Sequence, residues 1–237
     1  MLPLIILAGG LGTRLKPFSD NFPKSLVPVL NQPFVLHQLA LLKKNNISEI
    51  IFCIGHHGQQ IEALLGKGES LGLSINYHYD GDTLLGTAGS LRRIYKQLPD
   101  TFFLLYGDSY LPCNYAAAAQ QFLNSNKLAQ MTLFHNTNLG DKSNVLFDKN
   151  TILSYNKSNP HPLAQHIDYG LGLFRKEAFS DLPYNQPYDL ATLYQTLLDH
   201  HQLGAFEVSK RFYEVGSWNG IRDLEHYLMM TTSPCIT

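Results

Sequence analysis

The sequence predicts an α/β fold, a Rossmann-like three-layer sandwich in which helices cover both faces of a mixed but mostly parallel sheet. Three observations carry that reading. Short continuous apolar runs at Leu4-Ile5-Ile6-Leu7, Ile50 to Ile54 and Phe102 to Tyr106 have the pattern of strands buried on both faces. Stretches with apolar residues at helical spacing separate them, the clearest from Phe34 to Asn45. The resulting strand–helix–strand–helix–strand opening calls for a parallel sheet with right-handed crossovers. The 237 residues allow one large domain or two small ones. We expect a single domain over 1–237, with a first functional half to about residue 110 and a second from 111 onward.

Taken in order, Leu4 to Leu7 is the first strand, and Pro23 to Leu30 a loop. The helix from Phe34 ends in Lys43-Lys44, cations that suit a helix C-terminus. After the strand Ile50 to Ile54, Gly55-His56-His57-Gly58 turns into a helix reaching about Leu65, and Leu73 to Tyr79 alternates as a third strand. Asp80 to Leu85 is a polar loop before Gly86-Thr87-Ala88-Gly89-Ser90, which opens a helix to about Gln97. Phe102 to Tyr106 is the most apolar strand and stops at Gly107-Asp108-Ser109. Tyr115 to Leu123 is helical, Met131 to Asn136 a strand, and Val145 to Phe147 with Ile152 to Tyr155 a hairpin around Lys149-Asn150. Ile167 to Phe174 is a further strand and Pro187 to His201 a helix capped near Tyr188-Asp189. Gly204 to Val208 and Phe212 to Val215 are expected as strands at the end of the sheet, and Asn219 to Met230 as the last helix, with Trp218 a packing residue.

Composition narrows the function classes. Hydrophobic residues make up 44% and charged residues 16%, which supports a sizeable core and argues against disorder. A net charge of −1 argues against a basic nucleic-acid surface. No apolar run approaches the ~20 residues of a membrane span. Met1-Leu2-Pro3 leads straight into the first strand, so no signal peptide is expected. Cys53, Cys113 and Cys235 are widely spaced and odd in number, which suits reduced thiols in a cytoplasmic protein. The adjacent pairs His56-His57 and His200-His201 point apart on any regular element, and no zinc-ligand spacing accompanies them. No internal repeat is present.

The chemistry concentrates at Leu7-Ala8-Gly9-Gly10-Leu11-Gly12-Thr13-Arg14-Leu15, followed by Pro23-Lys24. Three glycines in four positions let the backbone approach a ligand, and successive bare N–H groups make an anion-binding concavity. Arg14 and Lys24 add positive charge beside it. The run lacks the Gly-x-x-x-x-Gly-Lys-Ser/Thr of a P-loop and the last glycine of a dinucleotide fingerprint. The residues therefore read as a loop around a nucleoside triphosphate, with a pyridine-nucleotide dehydrogenase as a remote alternative. Asp108, a carboxylate just beyond the carboxyl end of a buried strand, is placed where such sheets bind ligands and where Mg²⁺ would serve a triphosphate.

This loop, with Pro23-Lys24-Ser25-Leu26-Val27-Pro28-Val29, resembles the signature of the sugar-1-phosphate nucleotidyltransferases. The resemblance implies the fold of the nucleotide-diphospho-sugar transferases and condensation of a nucleoside triphosphate with a sugar 1-phosphate, releasing pyrophosphate. It assigns Leu7, Ala8, Gly9, Gly10, Gly12, Thr13 and Arg14, with Gly86, Thr87 and Ala88, to the nucleotide. Arg14 is assigned to the β/γ-phosphates, Lys24 to the α-phosphate and the incoming sugar phosphate, and Asp108 with Glu214 to Mg²⁺. Glu214, in Glu214-Val215-Gly216-Ser217-Trp218, stands where the family has aspartate. Lys157, in Tyr155-Asn156-Lys157, is assigned to the sugar phosphate, and Tyr169 with Gly170 to the sugar pocket. Asn156 replaces the usual glutamate there, and Asp168 the usual asparagine. Gly81 to Leu85 and the Gly9-Gly10 backbone are expected to read the base. The compact layout leaves nothing for an appended β-helix or acyltransferase domain. It resembles the heptose-1-phosphate guanylyltransferases and N-acetylmuramate-1-phosphate uridylyltransferases, with GTP ahead of UTP and CTP and a surface-polysaccharide or cell-wall sugar as cargo. A non-catalytic regulatory subunit of the same fold is the alternative. The sequence allows a homo-oligomer without specifying one.

Overall fold

A computed structural model describes residues 1–10, 15–81, 85–136 and 141–232. In chain order its strands and helices are β1 (Leu4–Ala8), β2 (Pro28–Val29), β3 (Gln32–Pro33), α1 (Phe34–Lys44), β4 (Glu49–Ile54), α2 (Gly58–Leu65), β5 (Ser74–Tyr79), α3 (Gly86–Arg93) and β6 (Thr101–Tyr106). They continue with β7 (Ser109–Tyr110), α4 (Tyr115–Leu123), β8 (Ala129–His135), β9 (Val145–Asp148), β10 (Thr151–Tyr155), β11 (His166–Arg175), α5 (Leu190–Asp199), β12 (Leu203–Val208), β13 (Tyr213–Glu214) and α6 (Trp218–Thr232).

A nine-stranded sheet runs β10-β9-β11-β6-β1-β4-β5, with β8 on the other edge of β11 and β12 beside β8. β1 lies between β4 and β6, parallel to both. Within this sheet only β10 and β11 run against the rest. The apolar run of β1 follows from its central place: Leu4 and Ile6 join the core under α1, α2 and α4, while Ile5 joins the core under α3 and α5. These two cores make the three layers. A third cluster, with Val27, Val29, Phe34, Tyr110 and Val215, lies under Ile221, Leu224 and Leu228 of α6.

Most expected elements form, with bounds moved by local chemistry. α3 stops at Arg93, and the expected helix to Gln97 continues only as a 3₁₀ turn over Tyr95–Gln97. α5 begins at Leu190 because the Asp189 carboxylate caps it, accepting from the Ala191 N–H at 2.7 Å. The Lys149-Asn150 hairpin is made by two residues of positive φ, 46° and 65°, as a tight two-residue turn requires. The segment expected as an end strand at Phe212 to Val215 does not join the sheet. β13 instead pairs antiparallel with β7, Glu214 opposite Ser109. Trp218, expected to pack, is 50% exposed at the start of α6. The β2–β3 ribbon was not legible, since Pro28 and Pro33 interrupt any strand pattern.

Candidate active site

The topology brings the ends of several strands to one edge. β1 runs out into Gly9, β4 into Gly55, β5 into Asp80 and β6 into Gly107-Asp108, while the reversed strand β11 enters at the same edge. This is the crevice in which open α/β sheets hold ligands.

The Asp108 turn is fixed from all sides. Gly107 N–H donates to the Leu7 carbonyl at 2.9 Å, and the Ser25 hydroxyl donates to the Gly107 carbonyl at 2.9 Å. The buried Gln38 amide on α1 donates to the Tyr106 carbonyl at 3.0 Å and the Ser109 carbonyl at 2.7 Å. Val215 N–H donates to the Asp108 carbonyl at 2.9 Å, tying in the β13 segment. Gly107 itself is required: a Cβ there would sit 2.8 Å from the Ala8 Cβ and 3.0 Å from the Ser25 hydroxyl. On this frame the Lys24 ammonium meets the Asp108 carboxylate at 2.8 Å. Gly216 abuts the same carboxylate, 3.7 Å from the position of a Cβ. The β13–β7 ladder puts Glu214 opposite Ser109, the residue after Asp108. The structure therefore brings Lys24, Asp108 and the Glu214 segment together, and Ser25 and Gln38, which sequence reasoning missed, hold them there.

A second charged pair lies over the Tyr106 ring. Lys157 Nζ is 5.8 Å from that ring's centroid and 3.3 Å from the Asp168 carboxylate. Burial pushes the Tyr106 hydroxyl far up, and the charges of Asp168, Asp189, Asp108 and Glu214 push it further. One phenol thus senses four carboxylates drawn from four segments. Lys24 and Lys157 pair with two of them, so the crevice carries both signs of charge. Among the described residues no group of three or more metal-ligating side chains occurs. Two carboxylates with the remaining positions left to water and substrate phosphates is the usual Mg²⁺ arrangement, and Asp108 and Glu214 are the two that the expectation names for it.

At the nucleotide end, Gly9 and Gly55 touch backbone to backbone: a Cβ on Gly55 would lie 2.9 Å from the Gly9 carbonyl oxygen. The Asp80 carboxylate fills the space a Gly9 side chain would need. Burial raises the Asp80 pKa, with the Ser90 hydroxyl and the Arg93 charge pulling the other way. Arg93 also binds the Asp80 carbonyl. Gly12, Thr13 and Arg14, and residues 82–84 of the expected base-reading loop, lie outside the described residues.

Two of the expected segments also have structural partners of their own. The small residues of Gly86 to Ser90 are explained by packing: the Ala88 and Gly89 N–H groups both donate to the Tyr188 carbonyl at 3.0 Å, so these two helix-terminal donors are already used. Ala88 is fully buried, and the Thr87 hydroxyl accepts from the Leu190 N–H at 2.7 Å, serving the start of α5. Tyr169 points to the opposite face of the sheet from Asp168, into the core against Phe212, so its side chain does not line the crevice. Gly170, with φ +91°, remains at the crevice, near Ser109 and Tyr106.

Comparison with known proteins agrees with this geometry. The sequence profile described as Nucleotidyl transferase matches residues 4–143. A UTP–glucose-1-phosphate uridylyltransferase of Synechocystis sp. is 29% identical over 214 residues, 82% of this chain and 55% of that protein. A D-glycero-alpha-D-manno-heptose 1-phosphate guanylyltransferase of Campylobacter jejuni is 35% identical over 106 residues, 45% of this chain and 47% of its own length. The chain thus spans about half the length of these curated relatives. Among solved structures, HddC of Yersinia pseudotuberculosis complexed with GMP-PN superposes with a TM-score of 0.78 at 21% identity, covering 96% of this chain and all of that one. The inositol-1-phosphate CTP transferase of T. maritima gives 0.80 at 20% identity, covering 100% and 98%. At such identities these structures establish the fold alone. With a family profile over more than half its length and that fold around the crevice, the chain belongs to the nucleotidyl transferase family.

Proposed function

We propose that this chain is a sugar-1-phosphate nucleotidyltransferase, making a nucleotide-activated sugar for surface or cell-wall polysaccharide from a nucleoside triphosphate and a sugar 1-phosphate. The observation that carries the reading is the pinned Asp108 turn with Lys24 upon it, at the sheet edge where Lys157 lies over the Tyr106 ring. A phosphate oxygen of the sugar 1-phosphate attacks the α-phosphorus, the bond to the bridging oxygen breaks, and pyrophosphate leaves. A phosphate monoester has a second pKa of about 6 and attacks as the anion, so no general base is needed. The task is to bring two anions together and hold the charge that builds on the leaving group. Lys24 stands between the two phosphates and Lys157 grips the sugar phosphate, while Arg14 serves the β/γ-phosphates. A Mg²⁺ held by Asp108 and Glu214 would supply charge neutralisation and Lewis acidity toward phosphate oxygens.

GTP is the proposed nucleotide. Asp80, a carboxylate against the Gly9 backbone, is a pure acceptor, and guanine presents two neighbouring N–H donors on its pairing edge where uracil presents one. The test is pyrophosphate release with Mg²⁺ from four nucleoside triphosphates against hexose, N-acetylhexosamine and heptose 1-phosphates, with Lys24→Ala as control. Turnover with GTP that Lys24→Ala abolishes supports the whole reading. Turnover with UTP in preference would overturn the assignment to Asp80. Tight nucleotide-sugar binding without turnover would establish the regulatory alternative.

A further inference from the structure

Asp168 is one of the residues at which the sequence departs from its resemblance, and the structure shows what surrounds it. Its carboxylate is only 5% exposed, against 44% for the Lys157 side chain it meets. One oxygen, Oδ2, accepts from the Tyr155 hydroxyl at 3.1 Å and pairs with the Lys157 ammonium at 3.3 Å. The other, Oδ1, accepts from the Gly170 N–H at 3.0 Å, across a turn where the register between β11 and β8 is broken. The Asp168 N–H donates in turn to the Asn144 side chain at 2.9 Å. A group so covered and so fully bonded is not offered to a ligand. It is offered to Lys157.

We propose that Asp168 is a positioning residue that clamps Lys157 over Tyr106 in the orientation the sugar phosphate requires. The inference rests on the function proposed above. A lysine ammonium has three N–H donors and a stem with four rotatable bonds. Asp168 takes one donor and leaves the others on the exposed side, so the cation is held before substrate arrives and its rotamer entropy is not lost at binding. An asparagine at 168 would keep its oxygen as acceptor for the Gly170 N–H, but its NH2 could only donate, to the Tyr155 oxygen, and would not attract the ammonium by charge. This chain therefore replaces a neutral amide by an ion pair inside the sugar-phosphate pocket.

The test is a double-mutant cycle between Asp168→Asn and Lys157→Met, the latter keeping an apolar stem over the Tyr106 ring. Asp168→Asn should raise KM for the sugar 1-phosphate about tenfold and leave KM for the nucleoside triphosphate within about twofold. In the Lys157→Met background, the same change should do nothing further, because coupled residues are not additive. A rise of equal size in that background would overturn the proposal in favour of a general role in pocket shape. A fall in the sugar-phosphate KM would overturn it too, since Asp168 would then compete with phosphate. Lys157 can also be followed without turnover, through the ¹⁵N resonance of its ammonium. A sharp signal in the parent that broadens in Asp168→Asn and is perturbed by inorganic phosphate at lower concentration in the parent than in the variant supports the clamp. Its absence in both overturns the clamp, whereas a chain inactive with every triphosphate overturns the function reading alone.

Discussion

Lys24 illustrates what a single residue contributes. Its 2.8 Å contact with Asp108 keeps the ammonium at the strand edge, where the proposed function has two phosphates meet. Lys24→Ala is expected to lower the rate of pyrophosphate release by about 10²–10³, the cost of losing one preorganised charge. Asp80 makes the complementary point. Its pKa is raised in the fold, so the folded chain holds that proton more tightly than the unfolded chain. The stability this gives is fully present below the ordinary carboxyl value of 3.8 and is lost as pH rises through the raised value. Ionised Asp80 is thus a strained guest at neutral pH. Asp80→Asn should raise Tm relative to the parent at pH 7, and the gain should shrink as pH falls toward 4. At this scale the sequence was half legible. Lys24, Asp108, Lys157 and Gly170 announced themselves as charge or glycine within a motif. Ser25 and Gln38 did not, because a single polar residue in an apolar stretch carries no sign of the distant carbonyl it will meet.

Among the elements, the β6–β7 turn shows how tightly backbone is used. A methyl group on Gly107 would meet Ala8 on β1, which β4 and β6 hold in place, so the turn itself would have to move. Gly107→Ala is expected to cost about 1–3 kcal/mol of stability, as overpacking does, and to reduce activity more than Lys24-independent nucleotide binding. Chemical denaturation and nucleotide titration of the same variant measure the two. Helices and buried strands were legible here because their periodicity is dictated by burial. β13 was not, since a two-residue ladder has no period, and its pairing with β7 depends on a turn far away in the chain. The Gly86 to Ser90 turn was legible as a close approach: small residues admit a neighbouring backbone as readily as a ligand, and the Tyr188 backbone lies against this turn.

For the molecule as a whole, net charge conceals the feature that matters. A chain with a net charge of −1 gathers four carboxylates around Tyr106, an arrangement that composition cannot reveal. Thiol chemistry reports on the same fold. Burial pushes the Cys53 thiol far up and the Cys113 thiol up to about 12. A chain with Cys113 and Cys235 replaced by Ser should therefore react with an aromatic disulfide reagent at pH 8 only after denaturant is added, since Cys53 is 1% exposed; prompt labelling of the native protein would show that thiol to be less covered than this packing gives. Among the described residues no helix is long and apolar enough to cross a membrane.

The pairing of β11 with β6 has one more consequence, for synthesis on the ribosome. β6 and the strands on its β1 side, β1, β4 and β5, emerge early, yet the far edge of β6 finds its partner only when Leu171 to Arg175 have been made. Until then Phe102 to Leu105, among the most apolar residues of the chain, present an open hydrogen-bonding edge to every other nascent chain nearby. The same strand that completes the crevice is thus the one that ends the chain's exposure to aggregation, and a ribosome stalled short of β11 would release a product prone to stick rather than one merely inactive.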